Sequence, residues 1–214
     1  HICSYTQLKQ PNVLAADVLV ALATRGGGAP PAMVFVSSLS AVAPSDTAEE
    51  LECTPPSRVD LLGGYGQTKW VCERRMAAAV AHGRLASLVV GRLGLIGPHS
   101  TSGDANLQDW LHLLLRAIAA VRAVPAMSDP AYSVDLLPVD VVCAALARLG
   151  VELIRCRPDE CATTGARCDV GVYHLDAESF GYEPVTMGTT LVSALEAQCG
   201  REVERGVSYS TWRE

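Results

Sequence analysis

Residues 32–38 read AMVFVSS. Five apolar residues in a row, without polar alternation, predict a strand buried on both faces. Upstream, residues 7–25, QLKQPNVLAADVLVALATR, place Val13, Leu14, Val18, Leu19, Ala21 and Leu22 at helical spacing. Pro11 fits the first turn of that helix, and RGGGAPP ends it. Downstream comes a loop of some twenty residues, 43–64, then a helix over 65–82 stopped near Gly83. LASLVVGRLGLIG, residues 85–97, repeats the buried-strand pattern with a glycine-rich exit. A helix over 105–123, a helix over 138–150 from Pro138 to Gly150, a strand over 171–177 and a helix over 186–200 closed by Gly200 complete the order. Strands that are continuously hydrophobic and alternate with helices predict an α/β fold: a parallel sheet with helices on both faces. In such sheets ligands sit beyond the carboxyl ends of the strands. Those ends lead into SSLSAVA and RLGLIGPHS, whose small residues let backbone approach a ligand closely.

The 214 residues suffice for one sizeable core. A net charge of −6 argues against a nucleic-acid partner, which would require a basic face. No apolar run is long enough to span a membrane, and no signal-peptide pattern is present, so a cytoplasmic location is expected. Eight cysteines do not read as a disulfide framework in a chain this rich in core residues. Cys72 and Cys143 fall within predicted helices, where cysteine is usually a small buried hydrophobe. Cys156, Cys161 and Cys168 cluster, but none is spaced as a C-x2-C pair, so no metal site is expected. Reduced thiols are the expectation.

Tyr65 and Lys69, the latter one of only two lysines, stand four residues apart in the third of these elements. On a helix they share one face. Such a pair is either polar decoration of a solvated face or a proton-transfer device. In the second case the ammonium lowers the phenol pKa, so that the tyrosine exchanges a proton with a substrate oxygen near neutral pH. Ser37, Ser38 or Ser40 would hold that oxygen, and a nicotinamide cofactor would supply hydride.

The series VSSLSAVA, YGQTKWVCER and VVGRLGLIG resembles the extended short-chain dehydrogenase/reductase superfamily. Its detail is closer to one branch: the terminal thioester reductase domains of nonribosomal peptide and polyketide synthases, and of carboxylic acid and aminoadipate reductases. SYTQLKQPNVLAADVLVALA, GRLGLIGPHSTSGDANLQDW, VDLLPVDVVCAALARL and GREVERGVSYSTWRE resemble further segments of that branch in the same order. The resemblance covers nearly the whole chain and is poorest over 151–170.

The resemblance implies Tyr65 as proton donor and Lys69 as the residue that binds the nicotinamide ribose and tunes Tyr65. Ser38 matches the residue that binds the substrate carbonyl oxygen, although a register one residue later would put Leu39 there. Leu93, where the family usually has proline, and Gly94 match positions passing close to the nicotinamide. Asn12 matches a helix-start asparagine, either functional or a structural cap or bridge.

The implied activity is NADPH-dependent release of a thioester as an aldehyde or alcohol. Phosphopantetheine enters only as carrier of the substrate, and an acyl or peptidyl carrier protein is the partner. Another extended reductase or epimerase, or a pseudo-reductase without cofactor, are the competing readings.

No glycine-rich phosphate loop of strand-then-helix order is present, since RGGGAPP follows a helix and precedes a strand. The chain therefore corresponds to the middle and later part of such a domain. Residues 1–98 match the later part of the Rossmann domain. Residues 99–214 match a mixed substrate-binding region whose helix 138–150 and strand 171–177 return to the core. Weak cofactor binding by these residues alone, and an uncovered apolar sheet edge, are expected.

Overall fold

A computed structural model describes residues 3–42, 63–125, 133–155 and 170–208. The chain divides into two compact units, His1–Gly94 with Val142–Leu175, and Leu95–Val141 with Asp176–Glu214.

The first unit is built on a three-stranded parallel sheet in the order β1 (Ala32–Ser38), β2 (Ser87–Leu93), β7 (Val170–Leu175). The strand expected over 171–177 thus joins the same sheet as the two apolar runs. Of these, β2 is buried as expected, while β1, at the sheet's edge, is not buried on both faces and leaves Val34 and Val36 exposed. Side chains alternate across it. Met33, Phe35, Leu88, Val90 and Val172 face α2 (Ala15–Ala23) and α3 (Gly63–Ala81). Val13, Ala16, Val20, Cys72, Met76 and Ala79 complete that core. On the other face lies α5 (Val139–Arg155): Leu146 fills the space over Gly91, and Gly150 sits against Val34. The α/β arrangement with helices on both faces is therefore as the sequence predicts.

Several boundaries differ from the sequence reading, each for a local reason. The first helix begins at α1 (Tyr5–Leu8), where Ser4 forms a reciprocal capping box with Gln7. Pro11 is therefore not in the first turn. It lies in a π-helical stretch, Lys9–Leu14, that runs on into α2. Proline lacks an N–H and its ring crowds the carbonyl one turn back, and a widened turn relieves both.

The run 85–97 is two strands. Gly94 separates β2 from β3 (Leu95–Gly97), which pairs with β6 (Leu136–Pro138) in the second unit. The helix expected over 105–123 is α4 (Trp110–Val121). Asn106 and Asp109 spend their side chains on the backbone N–H groups of Gln108 and Leu111, which holds the preceding residues in turns. Gly150 does not end α5, which continues to Arg155; its missing side chain instead admits Val34. The last helix is π-helical over Met187–Leu191 and α-helical over Val192–Cys199. Gly200 closes it in the left-handed conformation. Cys143 is exposed, unlike Cys72, so it is not the buried hydrophobe expected. Cys156, Cys161 and Cys168 lie outside the described residues.

The second unit packs α4 and the last helix around Ile118, Val124, Val192 and Val203. Its sheets are two-stranded: β3–β6, β4 (Ala123–Pro125) with β9 (Glu204–Val207), and β5 (Ser133–Val134) with β8 (Val185–Thr186).

Candidate active site

The carboxyl edge of the first unit's sheet brings the expected residues together. Ser38 ends β1, Leu93 ends β2 and Leu175 ends β7, and the three are lateral neighbours. After Ser38 the chain turns through a short 3-10 helix, Leu39–Ala41, and the Ser40 N–H donates to Ser38 Oγ at 3.2 Å. The first turn of α3 packs against this turn. A Cβ on Gly66 would run into the Ser40 carbonyl, and one on Gly64 into the backbone of Ser4 and Tyr5. Glycines on either side of Tyr65 thus allow the helix to approach until the Tyr65 and Ser38 hydroxyls are hydrogen-bonded. This selects Ser38, not Leu39, as the residue facing the tyrosine.

One turn further on, Lys69 is half-buried. Its Nζ donates to the Val36 carbonyl at 2.9 Å and lies 5.2 Å from the Phe35 ring centroid and 5.7 Å from that of Tyr65. Burial pushes the Lys69 ammonium below its usual range, while Cys72 and Glu73 pull it back up. Burial also pushes the Tyr65 phenol above its usual value, only partly offset by Ser38. The expectation of a lowered phenol pKa is corrected here: loss of water around the phenolate outweighs the neighbouring hydroxyl.

Leu93 is 4 % exposed, so its side chain belongs to the core and its backbone is what the edge offers. The Gly94 N–H points to the Leu175 carbonyl at 3.5 Å.

Asn12 is a bridge. Its Nδ2 donates to Thr68 Oγ1 at 2.9 Å, Thr68 donates in turn to the Tyr65 carbonyl at 2.8 Å, and the Asn12 carbonyl accepts from Cys72 Sγ at 3.5 Å. The π-helical stretch therefore braces the helix turn that carries Tyr65.

Sequence reasoning missed a buried polar network directly beneath these residues. Ser37 Oγ donates to Glu73 Oε1, and Arg92 grips the same carboxylate with Nε at 3.1 Å and Nη2 at 2.6 Å. The two side chains are only 4 % and 7 % exposed. Arg92 Nη1 lies 3.4 Å from His174 Nε2. The available signal was a lone arginine inside the otherwise apolar strand SLVVGRL, together with a glutamate one turn beyond Lys69.

The donor set suits a nicotinamide ribose. Lys69 spends one N–H on Val36 and has two more to give. Ser38 and Tyr65 add two hydroxyls beside it.

The chain matches, over residues 1–146, the NAD-binding family described as "Male sterility protein". It is 31% identical over 152 residues to the glycine betaine reductase ATRR of Emericella nidulans, covering 68% of this chain and 11% of that protein. It is 26% identical over 199 residues to the L-2-aminoadipate reductase large subunit of Candida glabrata, covering 84% of this chain and 14% of that one. Among solved structures it is similar to the terminal R domain from the myxalamid PKS-NRPS biosynthetic pathway. The TM-score there is 0.71 at 25% identity, covering 99% of this chain and 47% of that one. The chain thus spans a small part of these curated relatives and about half of the solved domain. By this match the chain belongs to the NAD-binding Male sterility protein family, an oxidoreductase family of Rossmann-type fold, and is homologous to the terminal R domains of PKS-NRPS enzymes and to aminoadipate reductases.

Proposed function

We propose that these residues form the proton-transfer and substrate-facing part of an NADPH-dependent reductase that releases a carrier-bound acyl or peptidyl thioester as an aldehyde. The observation that carries the reading is the Ser38–Tyr65 hydrogen bond with the Lys69 ammonium one turn away. A bound nicotinamide supplies the hydride in this chemistry.

Ser38 and Tyr65 present two hydroxyl donors to one place at the sheet edge. There they would hold the thioester carbonyl oxygen and stabilise the negative charge that grows on it. Tyr65 gives its proton to that oxygen when the charge demands it. The Lys69 ammonium beside the ring offsets the phenolate that this leaves. A phenol is protonated at neutral pH and burial shifts Tyr65 further that way, so Tyr65 is poised as the acid of the pair rather than as a standing base. The tetrahedral intermediate collapses to an aldehyde and the free pantetheine thiol. The substrate arrives on an acyl or peptidyl carrier protein, in keeping with the PKS-NRPS setting of the R domain to which the chain is similar.

Replacing Tyr65 with Phe in the polypeptide that carries these residues tests the reading. NADPH oxidation with a thioester substrate is expected to fall by at least about 10²-fold, the scale of losing a positioned general acid. Undiminished turnover refutes it.

A further inference from the structure

Tyr65, Lys69 and Glu73 follow one another at four-residue intervals along α3, forming a single stripe on the face turned to the sheet. Beneath the stripe, Ser37, Arg92 and His174 are lateral neighbours on β1, β2 and β7, one residue before the edge row of Ser38, Leu93 and Leu175. Glu73 ties the stripe to that polar row through three hydrogen bonds, one from Ser37 and two from Arg92.

Fastening a helix to a sheet does not by itself call for such a group. Apolar side chains of the same volume would do as well or better, because two charges must be taken out of water. What an apolar pair would not provide is a fixed negative charge one turn from Lys69. Lys69 is itself half-buried, and among the described residues its ammonium meets the Val36 carbonyl and the Phe35 and Tyr65 ring faces.

We propose that Glu73, clamped by Arg92 and Ser37, is a positioning residue that acts through Lys69, holding its ammonium charged and seated on the Val36 carbonyl beside the Tyr65 ring. The proposal rests on reading Lys69 as the cation that serves Tyr65.

The other groups around Lys69 do not supply this charge. On its own helix, Cys72 pulls the Lys69 ammonium up only as a thiolate, and burial raises its thiol, so near neutral pH it carries no charge. α2 brings Asp17, whose pair with Arg75 is solvent-exposed and screened by water, unlike the 7 % exposed Glu73. β1 contributes only hydroxyls and apolar groups, AMVFVSS having no ionisable side chain. β2 brings Arg92, which grips the carboxylate itself, and β7 brings His174, 3.4 Å from Arg92 Nη1.

The chain's two lysines make a direct test simple. Reductive 13C-methylation gives two dimethyl-lysine resonances, Lys9 and Lys69, assigned with Lys9→Arg. Each is titrated in the wild-type chain and in Glu73→Gln, Glu73→Asp and the double variant Glu73→Gln/Arg92→Met, which leaves no buried charge unpaired. Folding is followed by circular dichroism. The expected result is that Lys69 titrates at lower pH in Glu73→Gln and in the double variant, while Lys9 does not move and Glu73→Asp stays close to wild type. An unmoved Lys69 in either folded variant, or loss of folding in both, overturns the proposal, since Glu73 is then a structural clamp alone. No cofactor, thioester or turnover enters the measurement, so failure of the reductase reading would leave its outcome intact.

Discussion

Ser37 and Ser38 are adjacent in the chain yet serve different partners. Ser37 is sealed against Glu73, whereas Ser38 meets Tyr65 at the sheet edge. Ser38→Ala is expected to lower thioester-dependent NADPH oxidation by about 10²-fold or more, the scale of one lost oxyanion donor. Ser37→Ala leaves a buried carboxylate short of a donor and is expected to cost about 1.5–3 kcal/mol in urea unfolding.

Lys69 and Tyr65 give alkaline signatures of opposite sign. The folded state depresses Lys69, so the unfolded chain binds more protons as pH climbs toward 10.5, and wild-type stability gains over that window. Urea unfolding of Lys69→Met against wild type is expected to show the difference moving in favour of wild type as pH rises from neutrality. The folded state raises Tyr65, so its contribution is complete below pH 10 and is lost above it. Tyr65→Phe is expected to unfold less steeply with pH beyond 10.

The Tyr65–Lys69 pair was legible because four-residue spacing is a local signal. Glu73 and Arg92 were not, because their partnership joins a helix to a strand 19 positions away, and no periodicity encodes that.

α3 owes its place to what it lacks. With no side chain at Gly64 or Gly66, its first turn meets Ser4, Tyr5 and Ser40 backbone to backbone. Gly66→Ala is expected to destabilise the chain by about 1–3 kcal/mol in urea unfolding, as overpacking does. It should also weaken the Tyr65–Ser38 contact, since the Ser40 turn must give way.

Helix ends were readable where glycine performs a turn with positive φ, as at Gly83 and Gly200. The same residue misled at Gly150, where it serves a close approach to Val34 inside a helix. Which of these two uses a glycine has depends on its neighbours in space, and those are absent from a local pattern. The short pairs β4–β9 and β5–β8 escaped notice for a related reason: runs of two to four residues carry too little alternation to register.

At the scale of the molecule, β1 lies at one edge of its sheet, with Val34 and Val36 partly open. Leu14, at the end of the π-helical stretch, and Val18 and Leu22 on α2 form an exposed apolar stripe, with Val18 64 % and Leu22 61 % accessible. An uncovered face of this kind drives association. Val18→Glu with Leu22→Lys places a favourable pair four residues apart. This double variant is expected to reduce light scattering of the concentrated chain while leaving its circular dichroism unchanged.

The layered α/β plan was visible because it follows from repeated patterns of hydrophobicity. The division at Gly94 was hidden inside one apolar run, since Leu95 and Ile96 continue the hydrophobic pattern of β2 although β3 is itself only partly buried.

The widened turn at Lys9–Leu14 has a further consequence, one of rotational phase. An α-helix advances about 100° per residue. Wound as a regular α-helix with the same number of residues, this stretch would swing everything before it by about that angle against everything after. Val13, Ala16 and Val20 would keep their seats in the core. The Ser4 cap and the Tyr5 backbone, which lie flat on Gly64, would then face another direction. The widened turn thus acts as a mechanical offset: by absorbing one surplus residue it lets a single rod satisfy two sockets that regular winding of the same residues would leave out of step.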